Sequence, residues 1–207
     1  MPGQQLQTVA FILARKPAGA DKFEQLTVFA GEHGTLHCLI RISPSSPSPR
    51  KEGFLDLFDE VELWLESSNQ GRTWFVKEHR FIQRHDGIGR SYEALRAAAA
   101  LGTLVSRNPV SEESRPAVTD LLRSSLTALA AGGRPDVAWL KALYCFLRDE
   151  GYPVKQQWWA DLPPADQAAA AQLLNQPLAG QTLPAEIAAR VTRRLEDWVN
   201  TETEIRF

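Results

Sequence analysis

The hydrophobic period of this chain changes once, near Gly89, and that single change constrains the fold more than any other feature. Before it, short β-branched or aromatic runs alternate with polar residues, a period of two that builds half-buried strands. The runs are Thr8–Ala14, Phe23–Phe29, Gly34–Ile42, Glu60–Glu66 and Arg72–Glu78. Turn chemistry bounds each of them: Lys16-Pro17-Ala18-Gly19 closes the first, Glu32-His33-Gly34 joins the second to the third, and Asn69-Gln70-Gly71 turns the fourth into the fifth. Gly34 is free to take the positive φ of a tight hairpin. A linker rich in serine and proline, Ser43 to Lys51, separates the third run from the fourth. Five consecutive strands with one long connection suit a small closed barrel.

After Gly89 the apolar residues recur at steps of three and four. Tyr92 to Val105 is an alanine-rich helix that Asn108-Pro109 stops, because the residue before proline avoids the α region. A second helix opens at Ser114-Arg115-Pro116, buries Leu121, Leu122, Leu126 and Leu129, and ends at Gly132-Gly133. A third starts at Arg134-Pro135-Asp136, carries the stripe Trp139, Leu140, Leu143, Phe146 and Leu147, and stops at Gly151. Two more follow, one after Leu162-Pro163-Pro164 and one from Leu183-Pro184 to about Asn200. The expected fold is α+β: a five-stranded OB-type β-barrel over residues 1–86, then an all-α helical domain over 87–207.

Composition narrows the chemistry. With 43% hydrophobic and 23% charged residues the 207-residue chain lies in the range of ordinary folded proteins, far from disordered ones. Its net charge of −2 gives no overall basic excess for nucleic acid. Cys38 and Cys145, the two cysteines, each sit in an apolar run and read as small buried hydrophobes, which suits a reducing compartment. No run approaches the roughly 20 apolar residues of a membrane helix and no secretory leader is visible, so a soluble, cytoplasmic protein is expected.

No catalytic constellation stands out. The histidines His33, His37, His79 and His85 fall in no catalytic or metal-binding motif of the sequence, and His37 next to Cys38 puts the two on opposite faces of a strand. Ser45, Ser46 and Ser48 lie in a proline linker without an elbow motif, and there is no glycine-rich phosphate loop. The expectation is a protein that is not an enzyme and holds no cofactor or metal.

Several stretches then carry a family resemblance. Ala10-Phe11-Ile12-Leu13-Ala14-Arg15-Lys16-Pro17 is followed by Gly19-Ala20-Asp21-Lys22, and Leu26-Thr27-Val28-Phe29-Ala30-Gly31 runs into Glu32-His33-Gly34-Thr35-Leu36. Further on come Ser91-Tyr92-Glu93-Ala94-Leu95, Phe146-Leu147-Arg148-Asp149-Glu150-Gly151-Tyr152-Pro153, and the closing Ile205-Arg206-Phe207. Together they resemble the RecO family of bacterial recombination mediators, over nearly the whole chain and most sharply near its start. Two departures are plain. Many RecO proteins carry a four-cysteine zinc module after the Gly-Tyr-Pro position, where this chain runs on through Val154-Lys155-Gln156-Gln157-Trp158-Trp159. Their basic third-to-fourth-strand loop is here mainly serine and proline.

The resemblance implies binding of single- and double-stranded DNA, strand annealing, and RecA loading together with RecR and the single-stranded-DNA-binding protein. DNA contacts are expected from Arg15, Lys16, Lys22, Arg41, Arg50 and Lys51 in the barrel half. Arg190, Arg193 and Arg194 on the last helix are expected to receive the acidic C-terminal tail of the single-stranded-DNA-binding protein. A diverged interaction scaffold that keeps the fold without binding DNA is the alternative. The adjacent Trp158 and Trp159 read either as a plug over the helical core or as part of a partner pocket.

Overall fold

The computed structural model describes residues 4–18, 22–41, 54–67 and 69–207. It is α+β, with five strands followed by six helices among the described residues. Two compact units divide the chain, Met1–Arg84 and His85–Phe207. The boundary expected after residue 86 falls inside a 3-10 turn, Asp86–Arg90, at the start of the second unit.

The first unit holds β1 (Gln4–Pro17), β2 (Phe23–Ala30), β3 (Gly34–Arg41), β4 (Glu60–Ser67) and β5 (Trp74–Gln83). Hydrogen bonding links them in the order β1-β2-β3-β5-β4 and returns to β1, a closed barrel. β1 makes closure possible because it serves two neighbours: Gln4 to Phe11 pair with β4, and Ala10 to Pro17 pair with β2. Between Ile12 and Ala14 the β2 register slips by one residue, a bulge that bends the strand from one neighbour to the other. The last contact is a short parallel pairing, Cys38 with Trp74 and Leu39 with Phe75.

Alternation fills the interior with Ala10, Ile12, Leu26, Val28, Cys38, Val61, Leu63 and Leu65. Leu55 joins them from the segment before β4. That segment is stitched to the bulge: Phe58 N–H donates to the Ile12 carbonyl at 2.7 Å, and Ile12 N–H to the Asp59 carbonyl at 3.0 Å. Gly34 has φ +72°, the positive value its hairpin requires. Two strands are longer than their alternation suggests. Lys16 and Pro17 still pair with Gln25 and Glu24 where a turn was expected, and β5 runs on to Gln83. Gly19 and the expected linker from Ser43 to Lys51 lie outside the described residues.

In the second unit α1 (Tyr92–Arg107), α2 (Arg115–Ala130), α3 (Pro135–Asp149), α4 (Trp158–Asp161), α5 (Pro164–Asn175) and α6 (Ala185–Glu202) follow in order. α3 packs against α1, α2, α5 and α6, so it is apolar on nearly every side. Val137, Leu140, Leu143, Phe146 and Leu147 are fully buried along it, and each such side chain contributes about 1.5–3 kcal/mol. The Ser91 hydroxyl caps α1 by accepting from Ala94 N–H. At α2 the expected cap is corrected: Ser114 holds the N-cap position, but its hydroxyl donates to the Asp149 carbonyl, and Ser111 caps the preceding turn instead. Lys141 closes α5 by donating to the Leu174 and Gln176 carbonyls, both at 2.7 Å. Burial there lowers its pKa.

Trp158 is 2% exposed and packs near Tyr144, with ring centroids 6.0 Å apart. This is the geometry of a plug in the helical core, while Trp159 beside it is half-buried. No helix among the described residues is long and apolar enough to cross a membrane.

Candidate functional site

Paired residues on neighbouring strands share a face, so the register itself lays out the outer surface of the barrel. One row crosses four strands: Lys16 on β1, Gln25 on β2, Leu39 on β3 and Phe75 on β5. The next row towards the strand ends pairs Phe23 with Arg41, and the row behind pairs Thr27 with His37. Phe23 and Phe75 meet edge to face, centroids 6.0 Å apart, and both are half-buried. An aromatic pair therefore sits on the outer face of β2, β3 and β5, as nucleobase stacking requires.

Cations surround the same end. Lys16, Lys22 and Arg41 are exposed and form no ion pair with a described residue. Lys22 directly precedes Phe23, and Arg41 is its register partner, so the structure gathers these three at one end of β1, β2 and β3. Arg50 and Lys51 lie outside the described residues.

Arg15 is placed differently. The bulge in β1 gives it the face of its partner Leu26, which points into the barrel, while Lys16 next to it points out. Its guanidinium pairs with Glu24, donates to the Leu55 carbonyl at 2.6 Å, lies 3.7 Å from Asp56, and stacks on the Phe54 ring at 4.3 Å. Arg84 holds the same segment from its other side, donating to the Phe54 carbonyl at 3.0 Å while stacking on Phe81 at 3.9 Å. Arg15 is thus part of the clamp that seats Leu55 in the barrel.

The acidic residues that dilute the basic ones in the sequence sit largely on the opposite strands. Glu62 takes Gln7 Nε2 at 2.7 Å and Arg80 at 2.6 Å, and these bonds lower its pKa, the one to Gln7 most. Glu66 pairs with Lys77 at 2.7 Å. Of the remaining aromatics, Trp74 packs on the barrel core from inside, and Trp64 takes the outer face between Gln7 and Glu78.

On α6 the three expected arginines divide. Arg190 and Arg194, one turn apart, both hold Asp166 of α5, at 3.0 and 2.8 Å. Asp166 is 4% exposed, so this is a clamp between two helices. Arg193 points elsewhere and lines a groove between α1, α3 and α6, a cavity of about 360 Å³. Ala97, Ala100 and Ala189 leave the space, and Trp139 and Phe207 supply aromatic surface, their rings 5.6 Å apart. The other charges on the groove are engaged: Glu93 with Arg96, Asp136 with Arg134, and Glu196 with Trp139 Nε1–H at 2.7 Å. Arg193 has no partner among the described residues.

The histidines do not converge. His33 lies by Glu32, His37 by Thr27, His79 against Phe81 and His85 by Thr127. Among the described residues no group of three or more His, Cys, Asp or Glu side chains could hold a metal ion. His37 is exposed and Cys38 buried, on opposite faces as the strand period requires. The Phe23–Phe75 pair and the groove around Trp139 escape sequence reasoning, since both join segments far apart in the chain.

Fold and surfaces together define a class: a two-unit α+β protein whose sheet carries an aromatic-cationic outer face and whose helical unit carries an aromatic groove with one free arginine. No family model matches the chain, and no curated protein matches it either.

Proposed function

We propose that the chain is a RecO-like mediator of DNA repair that binds single- and double-stranded DNA on the outer face of β2, β3 and β5, without catalysing a reaction. The fold argument in its support is the closed strand order β1-β2-β3-β5-β4, with a bulged β1 shared by two neighbours, which is compatible with a small barrel of OB type. The observation that carries the reading is the Phe23–Phe75 pair with Lys16, Lys22 and Arg41 gathered at the same end of β1, β2 and β3. Stacking on the rings and phosphate neutralisation by the cations would hold a strand without reading its sequence. In the cytoplasm such a protein would anneal strands and, with RecR, help load RecA.

The acidic tail of the single-stranded-DNA-binding protein is assigned to the groove around Trp139, with Arg193 as its cation. Arg190 and Arg194 support the groove's helix through Asp166 rather than meeting the tail. A mobility-shift assay with short single-stranded DNA at low and moderate salt tests the main reading. Retardation that weakens with salt and with Phe23→Ala or Phe75→Ala is expected. No retardation at low salt would overturn it and favour a scaffold without DNA binding, a reading that the engagement of Arg15 and the net charge of −2 support.

A further inference from the structure

The groove between α1, α3 and α6 is reached by a strap of the chain's own residues, Thr203 to Phe207, which leaves α6 and is fastened at several points. The Thr203 hydroxyl donates to the Val199 carbonyl at 2.8 Å and accepts from Ile205 N–H at 3.2 Å. Asn108, only 5% exposed, treats the Arg206 peptide as a neighbouring strand would. Its Nδ2 donates to the Arg206 carbonyl at 2.7 Å, and its Oδ1 accepts from Arg206 N–H at 2.9 Å. Ile205 is buried between these points. The result is that Phe207 is delivered against Trp139 and lines the groove together with Arg193.

We infer that Phe207 is an internal occupant of this groove, and that a partner's aromatic residue must displace it to bind. The inference rests on the reading of the groove as a partner site and adds its regulation. Three features point this way. The aromatic contact with Trp139 is the contact an incoming ring would make. The cation meant for a partner's carboxylates, Arg193, stays unpaired, so the strap fills the apolar part of the site and leaves the charged part open. Beyond the buried Ile205, the hydrogen bonds that tie the strap to the rest of the unit run through one amide side chain, Asn108, and none of them belongs to the α6 ladder, so the Phe207 end can detach without unfolding α6. A site occupied in this way binds a ligand more weakly by the fraction of time that it is free.

The test uses the full chain and a short fluorescein-labelled peptide of aspartates closed by phenylalanine, followed by anisotropy at low salt. Phe207→Ala should bind the peptide about three- to tenfold more tightly than the parent, the range an aromatic pair accounts for. Arg193→Ala should weaken binding in either background. In the parent, peptide should shift the Trp139 indole N–H resonance and abolish its cross-peaks to the Phe207 ring. Phe207→Leu, which keeps apolar bulk in the strap, should fall between the two and serves if the alanine variant melts too low to assay. Equal or weaker binding by Phe207→Ala would make Phe207 a wall of the site and overturn the inference, with the partner reading intact. No binding and no Trp139 shift in the parent or any variant would overturn the partner reading, and the inference with it.

Discussion

The two units use their ionisable side chains in different ways. The barrel places a thiol, Cys38, at its centre and turns one arginine, Arg15, inward to hold a connecting segment. The helical unit buries a carboxylate, Asp166, and lets two half-exposed arginines reach in to it from solvent. In both, cations adjacent in sequence part company. Arg15 and Lys16 separate because strand neighbours face opposite ways, and Arg193 separates from Arg190 and Arg194 because each helical residue turns about 100°. Charge density along the chain therefore does not reveal which cation is available to a ligand. What reveals it is whether an acid or carbonyl waits on the face to which each side chain points.

The largest expected effect sharpens the contrast at the barrel's centre. Burial pushes the Cys38 thiol from 9.0 up to about 12. Between those pH values the unfolded chain loses this proton and the folded chain keeps it, so folding stability falls as pH rises. The slope is about 1.4 kcal/mol per pH unit, or about 4 kcal/mol across the window, with full stability below pH 9. Cys145, also raised by burial, acts in the same direction. Lys141, lowered by burial, acts in the opposite direction, its unfolded form holding the extra proton up to about 10.5. Urea midpoints at pH 8 and pH 11 should show the parent losing more stability than Cys38→Ala. Equal losses would mean that the buried thiol is not the alkaline weak point.

Arg15→Ala should cost about 2 kcal/mol, since it removes a charge-assisted bond to the Leu55 carbonyl, the pairing with Glu24 and the stack on Phe54 together. Thermal unfolding reports it. The salt dependence of DNA binding should stay unchanged in this variant, and a shallower slope would return Arg15 to the interface.

Why the two arginines were hard to tell from their neighbours shows how far the sequence can be read. The helix ends were legible because Asn108-Pro109, Gly132-Gly133 and Gly151 carry their own stop signals, and helices are local. The meander was legible from alternation, including the glycine of the β2–β3 turn. The bulge at Leu13 was not: a run of buried residues from Ala10 to Leu13 conceals which one is extra, and the face of Arg15 depends on it. The end of β5 is hidden because His79-Arg80-Phe81-Ile82-Gln83 looks mixed and polar, although β4 pairs with all of it but Ile82, where the register shifts. Phe23 and Phe75 meet only through the parallel β3–β5 contact, which no local pattern announces.

The next effect is on binding alone. Replacing Lys16, Lys22 and Arg41 by alanine should weaken single-stranded DNA binding about tenfold, or about 1.4 kcal/mol. The slope of log affinity against log salt should become shallower by about 2, at roughly 0.7 for each phosphate released. All three side chains are exposed and without ion pairs to described residues, so the melting temperature should hold. A triple variant with parental affinity would remove this end of the barrel from the interface.

The smallest expected effect tests the helical half of the comparison. Asp166→Asn keeps the shape of the buried side chain and one acceptor oxygen, but it removes the charge that Arg190 and Arg194 share. Because both guanidinium groups are about half exposed, water can solvate them once they are released, and no cation is left stranded in the core. The loss should therefore stay near 1 kcal/mol, below the 3–5 kcal/mol of a buried pair broken on one side. Arg193→Ala in the same assay should leave the melting temperature unchanged, since it gives up no bond to a described residue. If Arg193→Ala destabilises the chain as much as Asp166→Asn does, the three arginines form one structural cluster, and the division between clamp and free cation on α6 is lost.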